Sequence, residues 1–124
     1  MTGEQKRKKL MKLIEKYKLV KDPYYDGKRN GLDTRYGFVI PDDEKVMGNA
    51  IGIDTWAGEI VFAQDCRLHH DNQNLIQFCA WEEIEPKDYE KKIKHLFKQY
   101  NNVKLTIKKN KIQDKLDAIK EDFE

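Results

Sequence analysis

Residues 51–84, IGIDTWAGEIVFAQDCRLHHDNQNLIQFCAWEEI, decide the architecture. Ile51 and Ile53 alternate with small or polar neighbours, as do Ile60 and Phe62, Cys66 and Leu68, and Ile76 and Phe78. A repeat of two residues is the signature of strands with one buried face. Turn-forming residues interrupt it at Ala57-Gly58 and at His70-Asp71-Asn72-Gln73-Asn74. Strands are therefore predicted over 50–56, 59–68 and 75–84. A two-residue turn at Ala57-Gly58 pairs Trp56 with Glu59 and Ile53 with Phe62, which puts Ile51, Ile53, Ile60 and Phe62 on one face. Two registers compete for the next hairpin. Cys66 opposite Phe78 continues that face through Leu68, Ile76, Ala80 and Ile84, whereas Cys66 opposite Cys79 mixes charged and apolar neighbours. A one-residue slip would turn every side chain to the wrong face, so the first register is preferred.

Working outward, Tyr36, Phe38 and Ile40 alternate in a strand over 35–40 that Pro41 ends. The loop 22–34 holds Pro23, Gly27, Asn30 and Gly31. Ahead of it, Leu10, Leu13, Ile14 and Tyr17 recur at helical spacing, predicting a helix over 4–20 with Thr2 as N-cap. Downstream, Pro86 opens a second helix with Tyr89, Ile93, Leu96, Phe97 and Tyr100 on its apolar side, and Asn101-Asn102 can end it. Ile112, Leu116, Ile119 and Phe123 line a further helical face. Val103 to Ile107 fits an edge strand or a helix, and a helix from about Asn102, or a break near Asn110, is the preferred reading. The expected fold is α+β in one domain over 1–124. It has an N-terminal helix, a four-stranded antiparallel β-meander over 35–84, then one long or two shorter C-terminal helices over 86–124.

Charged residues make up 37% of the chain, yet the formal net charge is only +2. That near-neutral total hides a segregation: residues 1–34 carry +5, 35–85 carry −7 and 86–124 carry +4. Distribution of this kind bears on partners more than on fold. No apolar run approaches the ~18 residues of a membrane span. No signal-peptide pattern follows the basic start, so a reducing, cytoplasmic setting is expected.

The chain contains no serine, which removes serine-nucleophile chemistry. No phosphate-cradling glycine loop is present, so nucleotide hydrolysis and hydride transfer lack their usual local parts, and no cofactor is implied. Cys66, His69, His70 and Cys79, spaced C-x2-H-H-x8-C, are the residue types of a zinc site. The preferred register turns Cys66 and Cys79 to opposite faces, which speaks against a shared metal and against a disulfide. Buried structural cysteines and solvated loop histidines are the competing explanation, and it is preferred. A small enzyme using Cys66 paired with His95, or a carboxylate pair, is the third-ranked reading.

Two surfaces remain. The outer sheet face would carry Trp56 and Trp81 with Asp54, Asp65 and Glu83, beside an acidic turn Asp42-Asp43-Glu44. Tryptophan is enriched at interface hot spots, so this face suits a protein partner or a homodimer, unless a helix covers it. The basic alternative is Lys6, Arg7, Lys8 and Lys9 with Tyr24, Tyr25, Lys28 and Arg29, where lysines attract phosphate and tyrosines stack on bases. The leading expectation is a non-enzymatic protein-binding module, such as an accessory or inhibitor protein of a phage or mobile element. A lysine-driven RNA or DNA binder is the alternative.

Overall fold

The computed structural model describes residues 1–22, 34–38, 45–54 and 58–122. The order is α1 (Gly3–Lys16), β1 (Val20–Lys21), β2 (Thr34–Gly37), β3 (Lys45–Met47), β4 (Ile51–Ile53), β5 (Ile60–Leu68), β6 (Leu75–Glu82), a 3-10 turn at Pro86–Asp88, and α2 (Tyr89–Asp122). The fold is α+β, as expected, but the sheet is mixed and has six strands, ordered β1-β2-β4-β5-β6-β3, rather than a four-stranded antiparallel meander. The two strands that sequence reasoning missed are two and three residues long and lie at the edges. Segments so short carry no readable alternation. β3 runs parallel to β6, with Val46 beside Ile76.

Cys66 does lie opposite Phe78, so the β5–β6 register is as predicted. The β4–β5 register is displaced by two residues: Ile53 faces Ile60 and Ile51 faces Phe62. Ala57 of the predicted tight turn lies outside the described residues. Asp54 N–H donates to Glu59 O, Gly58 N–H donates to Asp54 O, and Gly58 takes a positive φ of 70°. A shift of two preserves side-chain parity, so Ile51, Ile53, Ile60 and Phe62 still share a face. Ala80, predicted on that face, is exposed and sits at φ 58°, so β6 swivels there.

Only Gly48, Asn49 and Ala50 separate β3 from β4, although β5 and β6 stand between them in the ladder. The four Cα steps from Met47 to Ile51 reach at most roughly 14 Å. In a flat sheet three strand spacings would use roughly 14 Å sideways. Met47 is level with Gln77, while Ile51 is level, through Phe62, with Glu82, which adds roughly 16 Å along the strands. The sheet therefore curls, bringing the part of β6 beyond β3 back toward β4. Gly48 makes the corner with φ 84°, its backbone close against Phe78.

The hydrophobic core fills the concave side. Ile51, Ile53, Phe62, Ile76 and Phe78 meet Leu10 and Ile14 of α1 and Tyr89, Ile93, Leu96, Tyr100, Val103 and Ile107 of α2. Aromatic rings knit the layers: Phe62 lies 5.2 Å from Tyr89, and Phe38 lies 5.3 Å from both Phe97 and Tyr100.

α1 begins with a capping box, in which Thr2 Oγ1 accepts from Gln5 N–H and the Gln5 side chain accepts from Thr2 N–H. It stops at Lys16, four residues before the predicted end. The stop is a Schellman motif: Leu19 N–H donates to Ile14 O and Lys18 N–H donates to Glu15 O, with Lys18 at φ 53°. A glycine is absent at that position, so local sequence held no stop signal. Lys18 and Ala80 both sit in the left-handed region, which disfavours side chains bearing a Cβ. Lys18→Gly and Ala80→Gly are each expected to raise stability by about 0.5–1 kcal/mol, read as higher urea midpoints.

α2 is one continuous helix of 34 residues. The predicted end at Asn101-Asn102 and the break near Asn110 do not occur, and Val103–Ile107 is helical. Burial of Tyr100, Val103 and Ile107 against the sheet carries the helix through the asparagines.

Candidate functional site

β4 begins at Ile51, opposite Phe62, so the edge of β5 beyond that pairing needs other partners. α2 supplies them. Gln99 Oε1 accepts from Cys66 N–H at 2.9 Å, while Lys92 Nζ donates to Gln64 O at 2.7 Å and pairs with Glu82 at 2.6 Å. The same Gln99 donates to Asp65 Oδ1 at 3.0 Å, which chiefly holds the Asp65 carboxyl below the usual carboxylate range. His95 Nε2 stands 3.9 Å from that carboxylate. Asp65 is thus part of a clamp that closes the sheet edge, a role not foreseen from sequence. Nothing in the spacing of Lys92 and Gln99 announces which backbone groups they will meet.

On the convex side, Arg35, Gly52 and Val61 stand in one row, and Ala63 and Trp81 are paired in the next. The Arg35 guanidinium reaches to within 5.8 Å of the Trp81 ring centre. Gly52 and Ala63 are both buried, so the floor between these two side chains is small and apolar. Trp81 keeps 36% of its surface. Farther along, Arg67 Nε donates to Cys79 Sγ at 3.0 Å. The contacts of α1 and α2 gather on the concave side, so neither described helix lies on this face. Glu83 is exposed beyond the end of β6, and Asp54 is half-buried at the end of β4. Trp56, Asp42, Asp43 and Glu44 lie outside the described residues.

The structure keeps the cysteines and histidines apart as ligands. Cys66 points into the core at 3% exposure, and Cys79 lies on the convex face. His69 and His70 stack at the β5–β6 turn with ring centres 4.7 Å apart. Their nitrogens and Asp71 do gather within 4.8 Å. However, His69 Nδ1 already accepts from Asp71 N–H, and His70 pairs with Asp71 at 2.9 Å. These are the bonds of a polar turn, and neither cysteine joins them.

Burial pushes the Cys66 thiol up to about 12, which leaves it protonated and without nucleophilic character at neutral pH. An unfolded thiol ionises near its ordinary value of 9.0. Between that pH and about 12 the unfolded state holds fewer protons, so this group makes stability fall as pH rises, by about 1.4 kcal/mol per pH unit. Cys66→Ala should flatten that slope in urea titrations between pH 9 and 11. A disulfide-exchange reagent should label one thiol in the folded protein and two after denaturation.

The basic candidates divide. Lys6 and Lys9 line an open groove with Lys87, Glu85 and Pro86. The groove continues along Lys9, Lys12, Leu13 and Lys16 to Glu90. Lys16 is partly neutralised there by Glu90 at 3.0 Å. Arg7 and Lys8 are exposed but do not line the groove, and Tyr24, Tyr25, Lys28 and Arg29 lie outside the described residues. Comparisons with protein-family models, curated proteins and solved structures find no match to this chain.

Proposed function

We propose that the chain is a non-enzymatic protein-binding module that engages its partner through the convex sheet face, in the manner of an accessory or inhibitor protein. The observation that carries this reading is the half-open Trp81 stacked by Arg35 over the small floor of Gly52 and Ala63, on a face that neither described helix occupies. An amphipathic ring and a guanidinium held in one geometry give contact area at little entropic cost, and both residue types are enriched at hot spots. Asp65 and Glu83 supply an acidic rim. The protonated Cys66 adds weight against a thiol enzyme.

The test is affinity capture from the source cells with the wild-type chain and with Trp81→Ala, followed by identification of retained proteins. The expected result is a stoichiometric protein partner lost by more than about tenfold in the variant, with an unchanged melting curve. Retention of the partner by a folded Trp81→Ala chain would remove the sheet face from consideration.

A second reading has its own observation, the joining of Lys6, Lys9, Lys12 and Lys87 along one groove. It is a phosphate-attracting RNA or DNA surface. Binding to labelled single-stranded RNA should then weaken steeply with salt, with a log–log slope of roughly −2 to −3 for three or four contacts. A flat salt response would exclude it.

A further inference from the structure

α2 carries two apolar rows, and the core uses only one. Ile93, Leu96, Tyr100, Val103 and Ile107 face the sheet and are buried. After Ile107 that same side turns polar, with Asn110, Asp114 and Glu121 in its path. The second row is Leu105, Ile112, Leu116 and Ile119, which remain 54%, 51%, 54% and 53% exposed. At roughly 100° per residue these four fall within about 60° of one another, on the side of the helix away from the core. The last fifteen residues of α2 continue for roughly 22 Å beyond Ile107, and all but Asn110 and Lys111 among them are exposed.

The intervals between these residues are seven, four and three. That is the alternation of three and four that sets one helix against another. The row is too narrow, and too poor in aromatic residues, for the broad wedge that buries a helix in a lipid surface. Its borders are cationic. Lys98, Lys108, Lys109 and Lys115 flank it, whereas Asp114, Asp117 and Glu121 project from the other side. Only Asp122, at the last described turn, brings a carboxylate near it. A second copy of the same helix is a poor occupant. Parallel pairing would set Lys109 against Lys109, and antiparallel pairing about the centre of the row at Ile112 would set Lys115 level with Lys109.

We propose that the projecting half of α2 is a docking helix for an acidic amphipathic helix of another protein, one with apolar residues at three-and-four spacing and Asp or Glu on the borders. Apolar rows interlock along the seam, and the lysine borders select partners of opposite charge. This site is separate from the sheet face.

The probe is a synthetic four-heptad peptide with Ile at a, Leu at d and Glu at every e and g. A peptide with Lys at those borders, and phosphatidylserine vesicles, serve as comparisons. Titrated with the full chain by fluorescence anisotropy, the acidic peptide should bind saturably and the basic peptide should not. Leu116→Asp should weaken binding by at least about tenfold. The double variant Lys108→Glu/Lys115→Glu should reverse the preference between the two peptides. All these positions are on the exposed half of α2, so circular dichroism melting should not change. Four results would overturn the proposal: no saturable binding, equal binding of the two peptides, a chain dimer in sedimentation that Leu116→Asp dissolves, or binding to vesicles in place of the peptide. Loss of the Trp81-dependent partner alone would leave it standing.

Discussion

Lys92→Met should lower the unfolding free energy by about 2–3 kcal/mol. Lys92 keeps only 15% of its side chain in solvent, pairs with Glu82 at 2.6 Å and donates to Gln64 O on the open edge of β5. Methionine fills the same path between α2 and the sheet, so packing changes little while two polar partners are left behind. A carboxylate and a backbone carbonyl without their cation cost more than the pair contributed in net terms. Glu82 is about one-third exposed and recovers some hydration, which keeps the expected cost below that of a fully buried pair. Urea titration should show a lower midpoint at unchanged slope. Adding Glu82→Gln to Lys92→Met should recover about half the loss, since the stranded charge is then gone. A loss under about 0.5 kcal/mol would mean that the pair behaves as an ordinary surface contact.

Gly48→Ala should cost about 3 kcal/mol. The backbone there has φ 84°, and an added Cβ would stand 3.1 Å from Phe78 O and 3.4 Å from Phe78 Cβ. The left-handed conformation alone costs roughly 1–2 kcal/mol for a residue with a Cβ. The close approach adds the rest, because Phe78 is held by its ladder partner Cys66 and by the rings of Phe38 and Tyr100. Gly58→Ala is the matched control. Its φ is 70°, but the nearest atom to a new Cβ is Gly3 Cα at 3.8 Å, so only the conformational cost of about 1 kcal/mol applies. Equal losses at the two positions would show that Phe78 gives way to a Cβ at Gly48, and with it the tight curl of the sheet.

Much of the core was legible because parity survives error. Ile51, Ile53, Ile60 and Phe62 share a face whether Ile53 pairs with Phe62 or with Ile60, and the true register differs from the predicted one by two. The choice of Cys66 opposite Phe78 rested on keeping one apolar face continuous, and that constraint is strong enough to decide a register alone. β1 and β3 were hidden because two or three residues cannot display a period. Their strand geometry comes from the neighbour they border. The end of α1 was misplaced because Lys18 occupies a position where glycine is the usual signal.

The candidate site was legible in composition and illegible in arrangement. Trp81 and Asp65 were singled out by residue type; Trp81 stands on the convex side, and Asp65 at the sheet edge that α2 clamps. That Asp65 is bound by Gln99, and that Arg35 reaches across two strands to Trp81, depends on contacts far apart in the chain. The basic residues were grouped by adjacency, whereas the groove selects Lys6 and Lys9 by helical periodicity and adds Lys87 from a distant segment.

By itself, the sequence determined the α+β class, the apolar face of the central hairpins, the β5–β6 register and the helical nature of both ends. Those follow from periodicities of two and 3.6, which are local. Only the tertiary structure decided that the sheet curls and that α2 runs unbroken past Asn101-Asn102. It alone decided that the row at Ile112, Leu116 and Ile119 points away from the core. Each of these is settled by what lies opposite: a link too short for a flat sheet, a sheet face long enough to bury Val103 and Ile107, and none of the described strands beyond them.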